Sequence, residues 1–147
     1  MYKHIMIPTD GSELSDKAID AGVEFAREVC ARVTGFTAVP EYKVPSQIEL
    51  MSRHGISIAQ YEEQAKRQAE AALQRIADRA QAAGVEYDAE FVQSDRPYEA
   101  IIRAAQKRRC DLIFMASHGR RGISALIYGS QTHGVLTHSK IPTLVYR

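Results

Sequence analysis

Short apolar segments alternate along this chain with segments of helical periodicity, at intervals of about thirty residues, and this alternation limits the fold more than any other feature. Strands are predicted at 4–9, 33–39, 85–93, 111–117 and 141–146. Helices are predicted at 12–32, 61–83, from 94 onward and at 130–138. Strand–helix–strand units are right-handed and build a parallel sheet with helices on both faces. The sequence therefore predicts a three-layer α/β/α fold, with a doubly wound, five-stranded parallel sheet, in one domain over residues 1–147.

The composition of the strands predicts where each lies in the sheet. The segment 85–93 alternates apolar and charged residues, so we expect one face to contact water and the strand to lie at an edge. The segment 111–117 is apolar after Asp111 and is expected at the centre. If the first and fourth strands are neighbours, their carboxyl ends face one crevice, where ligands bind in such sheets. The segment 40–60 has no clear period, and we expect a short helical turn and a mobile lid there.

Charge and composition argue against several partners. The 19 basic and 18 acidic residues give a net charge of +1, whereas a dedicated nucleic-acid binder carries a basic excess. No apolar run approaches the ~20 residues that cross a bilayer, so no membrane partner is expected. A strand is predicted directly at the start of the chain, so we expect no signal sequence. Cys30 and Cys110 are expected to be reduced thiols in a cytoplasmic protein.

Two strand ends carry the chemistry that can hold a phosphate. The fourth strand ends in Met115-Ala116-Ser117-His118-Gly119. Nine residues then separate Gly119 from the pair Gly129-Ser130, which begins a helix. Backbone N–H groups at such a turn and at a helix N-terminus bind anions. The first strand ends in a similar small, polar turn, Pro8-Thr9-Asp10-Gly11-Ser12. Together these ends predict a phosphate site at the crevice.

These motifs, with Pro97–Ile101 and the final Lys140–Val145, strongly resemble the universal stress protein family over essentially the whole chain. The resemblance implies an adenine nucleotide α-hydrolase-like fold. Nucleotide-binding members carry Gly-x-x-Gly, nine residues, then Gly-Ser or Gly-Thr. Here Ala116 replaces the first glycine, while Gly119, Gly129 and Ser130 match.

The resemblance implies a site for ATP, with or without Mg²⁺. Asp10 would contact the adenosine with Pro8 and Thr9 beside it, and Val39 would lie along the adenine. Met115 also belongs to the expected nucleotide site, and around the ribose and phosphates the resemblance places Ala116, Gly119, Gly129, Ser130, Gln131 and Thr132. The last four would use backbone N–H groups and hydroxyls at a helix N-terminus.

Several readings of these residues stay open. Alanine at 116 costs roughly 1–2 kcal/mol if φ must be positive, crowds the ligand if close approach is needed, or fits without effect. Asp10 is equally suited to stabilising the turn or the first helix. Ser130 is equally suited to capping its helix without any ligand.

The pattern does not favour catalysis, and we assign no catalytic residue. The crevice motifs offer no evident nucleophile, general base or pair of metal-binding carboxylates, so at most slow ATP hydrolysis is expected. His133 and His138 are five residues apart, a poor helical spacing for a shared metal, and no metal site is assigned. The Gly-Lys-Ser of a P-loop is missing. A phosphoreceiver would need an acidic cluster after the first strand, where Asp10 is the single acidic residue of the turn.

The last strand favours self-association. Thr143 to Tyr146 would form an apolar sheet edge, and such an edge is covered or paired with another chain. The resemblance implies pairing across a two-fold axis. We therefore expect an ATP-binding, homodimeric stress-response protein in which the nucleotide orders 40–60 and 119–129. The alternative is a nucleotide-free regulatory dimer of the same family.

Overall fold

The structure, a computed structural model, describes residues 1–51, 55–117 and 129–147, without the side chain of Leu50. Within these residues the strands are β1 (His4–Pro8), β2 (Arg32–Val39), β3 (Tyr87–Gln93), β4 (Leu112–Ala116) and β5 (Thr143–Tyr146). The helices are α1 (Glu13–Glu28), α2 (Gln47–Met51), α3 (Ile58–Ala83), α4 (Pro97–Lys107) and α5 (Ser130–His138). The strands form one parallel sheet in the order β3-β2-β1-β4-β5.

The chain winds in two directions from β1. It passes outward through β2 to β3, then crosses back to β4 on the other side of β1 and ends at β5. The predicted neighbours β1 and β4 pair directly, with Ile5 opposite Leu112 and Met6 opposite Ile113. The winding reverses between these two strands, and their carboxyl ends open on one crevice. The predicted doubly wound parallel sheet is confirmed, with β3 at an edge as expected.

Alternation along the strands divides the core between two faces of the sheet. Ile5 and Ile7 of β1 pack with α1 and α3, whereas Met6 between them packs with α4 and α5. In β4, Phe114 lies on the first face and Met115 on the second. Because successive side chains of a strand point to opposite faces, these short strands can be apolar throughout and still fill both layers.

Three local signals explain where the long helices begin and end. α1 ends at Glu28, earlier than predicted, and Cys30 adopts a left-handed φ of 56° that turns the chain into β2. α3 begins at Ile58, earlier than predicted, because Ser57 and Gln60 form a reciprocal capping box. Gly84, with φ of 69°, ends α3 as its position in the sequence indicates.

The segment between β2 and α3 contains the expected helical turn, α2. The Tyr42 hydroxyl donates to the Ile56 carbonyl at 2.8 Å, and its ring lies 5.5 Å from that of Tyr61. The Tyr61 hydroxyl in turn donates to the carbonyl of Pro40. These contacts tie Pro40 and Tyr42, which follow β2, to Ile56 and Tyr61 near the start of α3. No helix in the described ranges combines the length and apolarity that crossing a membrane requires.

Candidate functional site

The turn after β1 is held against β2 at the carboxyl edge of the sheet. The Thr9 N–H donates to the Phe36 carbonyl at 2.8 Å, and the Thr37 hydroxyl donates to the Thr9 carbonyl at 2.8 Å. Gly11 follows with a φ of 74°, which a side chain at this position would resist. The chain therefore leaves the sheet in a fixed direction and enters α1 at Ser12, the N-cap.

Asp10 is anchored within this turn. Its Oδ1 accepts the Ser12 N–H at 3.0 Å and the Ser15 hydroxyl at 2.9 Å. The turn-stabilising role of Asp10 is thus present in the structure. These two contacts also hold the carboxylate at the end of β1, where it can accept a hydrogen bond from a ligand hydroxyl.

A long-range contact also supports this turn, and sequence reasoning missed it. Arg75 of α3 donates from Nη1 to the Gly11 carbonyl at 3.2 Å and to both carboxylate oxygens of Asp16 at 2.9 Å. Arg75 flanks the buried stripe of α3, so its periodicity reads as ordinary surface. No local pattern links it to a turn 64 residues earlier.

The end of β4 is tied directly to the start of α5. The Ala116 carbonyl accepts the buried Thr132 hydroxyl at 2.9 Å, and the Ser117 carbonyl accepts the Gly129 N–H at 2.9 Å. Ser117 also donates its N–H to the Tyr146 carbonyl at 2.7 Å, which continues the pairing with β5. These bonds place the α5 N-terminus beside the carboxyl end of β4. Gly119, assigned to the ribose and phosphates, lies outside the described residues.

Ala116 is an ordinary strand residue. The left-handed φ angles of the described ranges belong to Gly11, Cys30, Gly84 and Arg109, so alanine at 116 carries no backbone strain of this kind. Ala116 is the last residue of β4 and pairs with Tyr146. Alternation places its methyl group on the α1 face of the sheet, whereas α5 lies on the opposite face. The explanation based on positive φ is therefore wrong for this chain.

The first turn of α5 presents backbone donors. Its N-cap is Gly129, which has no side chain to cap the helix, so Ser130 is the first helical residue and not the cap. The N–H groups of Ser130, Gln131 and Thr132 have no acceptor within the helix, because the first turn lacks preceding carbonyls. Ser130 is exposed. Three donors and the positive end of the helix macrodipole thus face the crevice beside β4.

The side chains of Thr132 and Gln131 also have structural partners. Thr132 donates its hydroxyl to Ala116, which leaves its backbone N–H as the donor at the helix end. The Gln131 Oε1 accepts the Tyr98 N–H at the start of α4, at 2.8 Å. Tyr98 is another residue that sequence reasoning missed, since its contact with Gln131 spans 33 positions.

The remaining assigned residues line the same edge of the sheet. Pro8 is the buried last residue of β1, and Met115 is the buried residue before the end of the neighbouring strand β4. Val39 is the buried last residue of β2, three positions beyond the partner of Pro8, and its carbonyl accepts the Ser94 N–H at 2.8 Å. Val39 packs with Ala65 and Ala69 of α3, whereas Met115 packs on the α4 face of the sheet. Among the described residues, no group of three or more His, Cys, Asp or Glu side chains is placed to hold a metal ion.

The comparisons with known proteins agree with this architecture. The model of the universal stress protein family matches residues 1–147. A universal stress protein of Methanocaldococcus jannaschii is 30% identical over 152 residues, which cover 100% of this chain and 83% of that protein. The solved structure of a second protein of that organism superposes with a TM-score of 0.79 at 24% identity, covering 99% and 95% of the two chains. A universal stress protein solved in complex with cAMP gives a TM-score of 0.68 at 22% identity, covering 99% and 97%.

Proposed function

This chain belongs to the universal stress protein family, and on that premise we propose that it binds ATP in the crevice between β1 and β4. In this proposal the protein acts in the stress response through its nucleotide-bound state and not through turnover of a metabolite. The nucleotide would lie across the carboxyl edge of the sheet, at the point where the winding reverses.

The observation that carries the proposal is the meeting of two different polar elements at that point. The anchored carboxylate of Asp10 follows β1, and the N-terminus of α5, which lacks a side-chain cap, is bonded to the end of β4. A carboxylate accepts hydrogen bonds from ribose hydroxyls, whereas free N–H groups at a helix N-terminus bind phosphate. One nucleoside phosphate satisfies both.

The site offers a surface for each part of the ligand. Val39, at the end of β2, is proposed to lie along the adenine, with Pro8 beside Asp10 at the end of β1. Asp10 is proposed to accept from the ribose, and residues 129–132 to hold the phosphates. A family member solved with cAMP supports an adenine nucleotide as the ligand class.

The hydrogen bonds around the site suggest how binding of the nucleotide changes the surface of the protein. The α5 N-terminus is bonded to β4 through Thr132 and to α4 through Gln131. Tyr42 and Tyr61 tie the residues after β2 to the start of α3. We propose that ATP favours one arrangement of these elements and that a partner recognises the resulting surface.

We further propose that the protein is a cytoplasmic homodimer, with β5 pairing across a two-fold axis. β5 is an edge strand whose residues are only partly buried, and strand pairing would cover it. Cys30 is exposed and Cys110 is buried, and both are free thiols, as in a reducing compartment.

Calorimetric titration of the purified protein with ATP and Mg²⁺ tests the nucleotide proposal, with AMP and GTP as comparisons. We expect micromolar binding that favours adenine over guanine. The variant Ala116→Gly restores the first glycine of the family motif, and we expect it to give no gain in ATP affinity. It should lose about 0.5–1 kcal/mol of stability, because glycine in an extended strand costs conformational entropy.

The opposite result is equally clear. If saturating ATP produces no heat and leaves the melting temperature unchanged, the protein does not use this site for ATP. The nucleotide-free regulatory dimer would then be the correct description. If Ala116→Gly alone binds ATP, the methyl group crowds the ligand in the natural chain.

A further inference from the structure

Gln131 connects the start of α5 to the start of α4. It is the second residue of α5, and its Oε1 accepts the N–H of Tyr98, the second residue of α4, at 2.8 Å. Arg96, the N-cap of α4, forms no capping hydrogen bond with its side chain among the residues that the structure describes. Gln131 therefore supplies from another helix the acceptor that an N-cap side chain usually supplies.

This contact determines which way the amide of Gln131 points. A backbone N–H can only donate, so the end of the amide that faces Tyr98 must be the oxygen. The Nε2 group consequently points the other way, to within 3.4 Å of the Ser130 hydroxyl. Ser130 is exposed at the first position of α5. One N–H of Nε2 thus donates to the Ser130 hydroxyl, and the second is left as a donor at the end of α5 that carries the free backbone N–H groups.

Tyr98 itself is held in place. Its ring lies against the backbone of Gly134, where an added Cβ would be 2.4 Å from the ring, and 5.3 Å from the ring of His138. The N–H that fixes Gln131 therefore belongs to a residue packed between α4 and α5. An amide held in this way can donate to a ligand with little loss of side-chain entropy.

We propose that Gln131 is a specificity-determining residue whose Nε2 donates to the phosphates of the bound nucleotide. This inference rests on the nucleotide function proposed above and adds to it a side-chain donor. A hydrogen bond to a charged phosphate is stronger than one to a neutral group. Gln131 would therefore favour phosphorylated nucleotides over adenosine, which offers no phosphate to this end of α5.

The variant Gln131→Glu separates the two roles of the side chain. Its carboxylate still accepts the Tyr98 N–H, and a negative charge near a helix N-terminus is favourable for the free protein. It cannot donate to a phosphate, and it repels one. We expect the melting temperature to stay equal or rise, adenosine affinity to stay unchanged, and ATP affinity to fall at least about tenfold.

Two further variants complete the experiment. Gln68→Glu adds the same charge to an exposed position of α3 and should leave both stability and ATP affinity unchanged. Gln131→Met removes acceptor and donor together, so it should lower both the melting temperature and the ATP affinity. A purely structural Gln131 would lower the melting temperature in the methionine variant without a selective loss of ATP affinity relative to adenosine affinity.

The outcomes distinguish this inference from the function on which it rests. If the natural chain binds ATP and Gln131→Glu binds it equally well, the phosphate contact is absent and only this inference is overturned. If Gln131→Glu weakens adenosine and ATP by the same factor, its effect does not involve the phosphates and the inference is again overturned. If the natural chain and Gln68→Glu both fail to bind ATP, the proposed function fails, and this inference fails with it.

Discussion

His4 begins β1 at the end of the sheet opposite the candidate site, and its imidazole is buried there. The Nε2 atom lies 2.7 Å from the Thr34 hydroxyl, and the His4 N–H donates to the Asp111 carboxylate at 2.9 Å. Burial, and then the positive charge of Arg32, lower the pKa of the imidazole below 6.5. The Arg108 backbone and the Asp111 carboxylate act in the opposite direction, and the Arg108 guanidinium adds a smaller lowering effect. The folded protein thus favours the neutral imidazole.

This preference predicts a loss of stability in mild acid. Below pH 6.5 His4 becomes protonated in the unfolded chain before it does in the folded chain. The unfolded state then binds more protons, so the free energy of unfolding decreases as the pH decreases. The fall continues down to the lowered pKa, with a slope of at most about 1.4 kcal/mol per pH unit. His4→Gln keeps a polar partner for Thr34 without the titration. Its free energy of unfolding in urea, compared at about pH 7.5 and about pH 5, should depend less on pH than that of the natural chain. Equal slopes would exclude His4 as the cause.

Residues of the site differ in how far the sequence predicts them. Asp10 and Gly129 follow apolar runs directly, so their place at strand and helix ends can be read from neighbouring residues. The contacts of Arg75 with Gly11 and of Tyr98 with Gln131 join distant segments, and neither leaves a periodic signal. The backbone angle at Ala116 also depends on the pairing of β4 with β5, which the composition of the loop does not reveal.

At the scale of elements, α5 depends on tertiary contacts. The helix has nine residues and contains Gly134, although glycine inside a helix costs about 1 kcal/mol relative to alanine. Its position is set by the Thr132 bond to Ala116, the Gln131 bond to Tyr98, and the Tyr98 ring over Gly134. The sequence pattern predicted the helix and its bounds. It did not predict that Gly134 leaves the space in which Tyr98 of α4 packs against α5.

Replacing Gly134 with alanine should therefore destabilise the protein despite the better helix propensity. The new Cβ would lie 2.4 Å from Tyr98 Cγ, and overpacking of this kind costs about 1–3 kcal/mol. In a Tyr98→Ala background the space is free, so the same change should stabilise by up to about 1 kcal/mol. Urea unfolding of the natural chain, the two single variants and the double variant measures both effects. If Gly134→Ala changes the free energy of unfolding in the same direction in both backgrounds, the Tyr98 ring is not the reason that position 134 requires glycine.

For the whole molecule, the two edges of the sheet differ in character. On β3, Glu90 bonds to Arg108 at 2.6 Å and to Lys107 at 3.0 Å, and Asp88 bonds to the same arginine. Burial raises the pKa of Glu90, but these cations outweigh it and the net pKa is lowered. Asp88 also accepts the N–H of Ala89 at 2.8 Å. Charges and a blocked N–H protect this edge from pairing, whereas the residues of β5, Thr143–Tyr146, carry no charge.

This contrast predicts that copies of the chain pair through β5. Sedimentation equilibrium at tens of micromolar should give the mass of a dimer for the natural chain. Val145→Lys places a charge on the half-buried edge strand and should shift the protein to monomers with an unchanged far-ultraviolet circular dichroism spectrum. The matched control, Phe91→Lys, places the same charge on β3, where Phe91 is 37% exposed, and should remain dimeric. A monomeric natural chain, or dissociation by Phe91→Lys alone, would overturn the assignment of β5 as the interface.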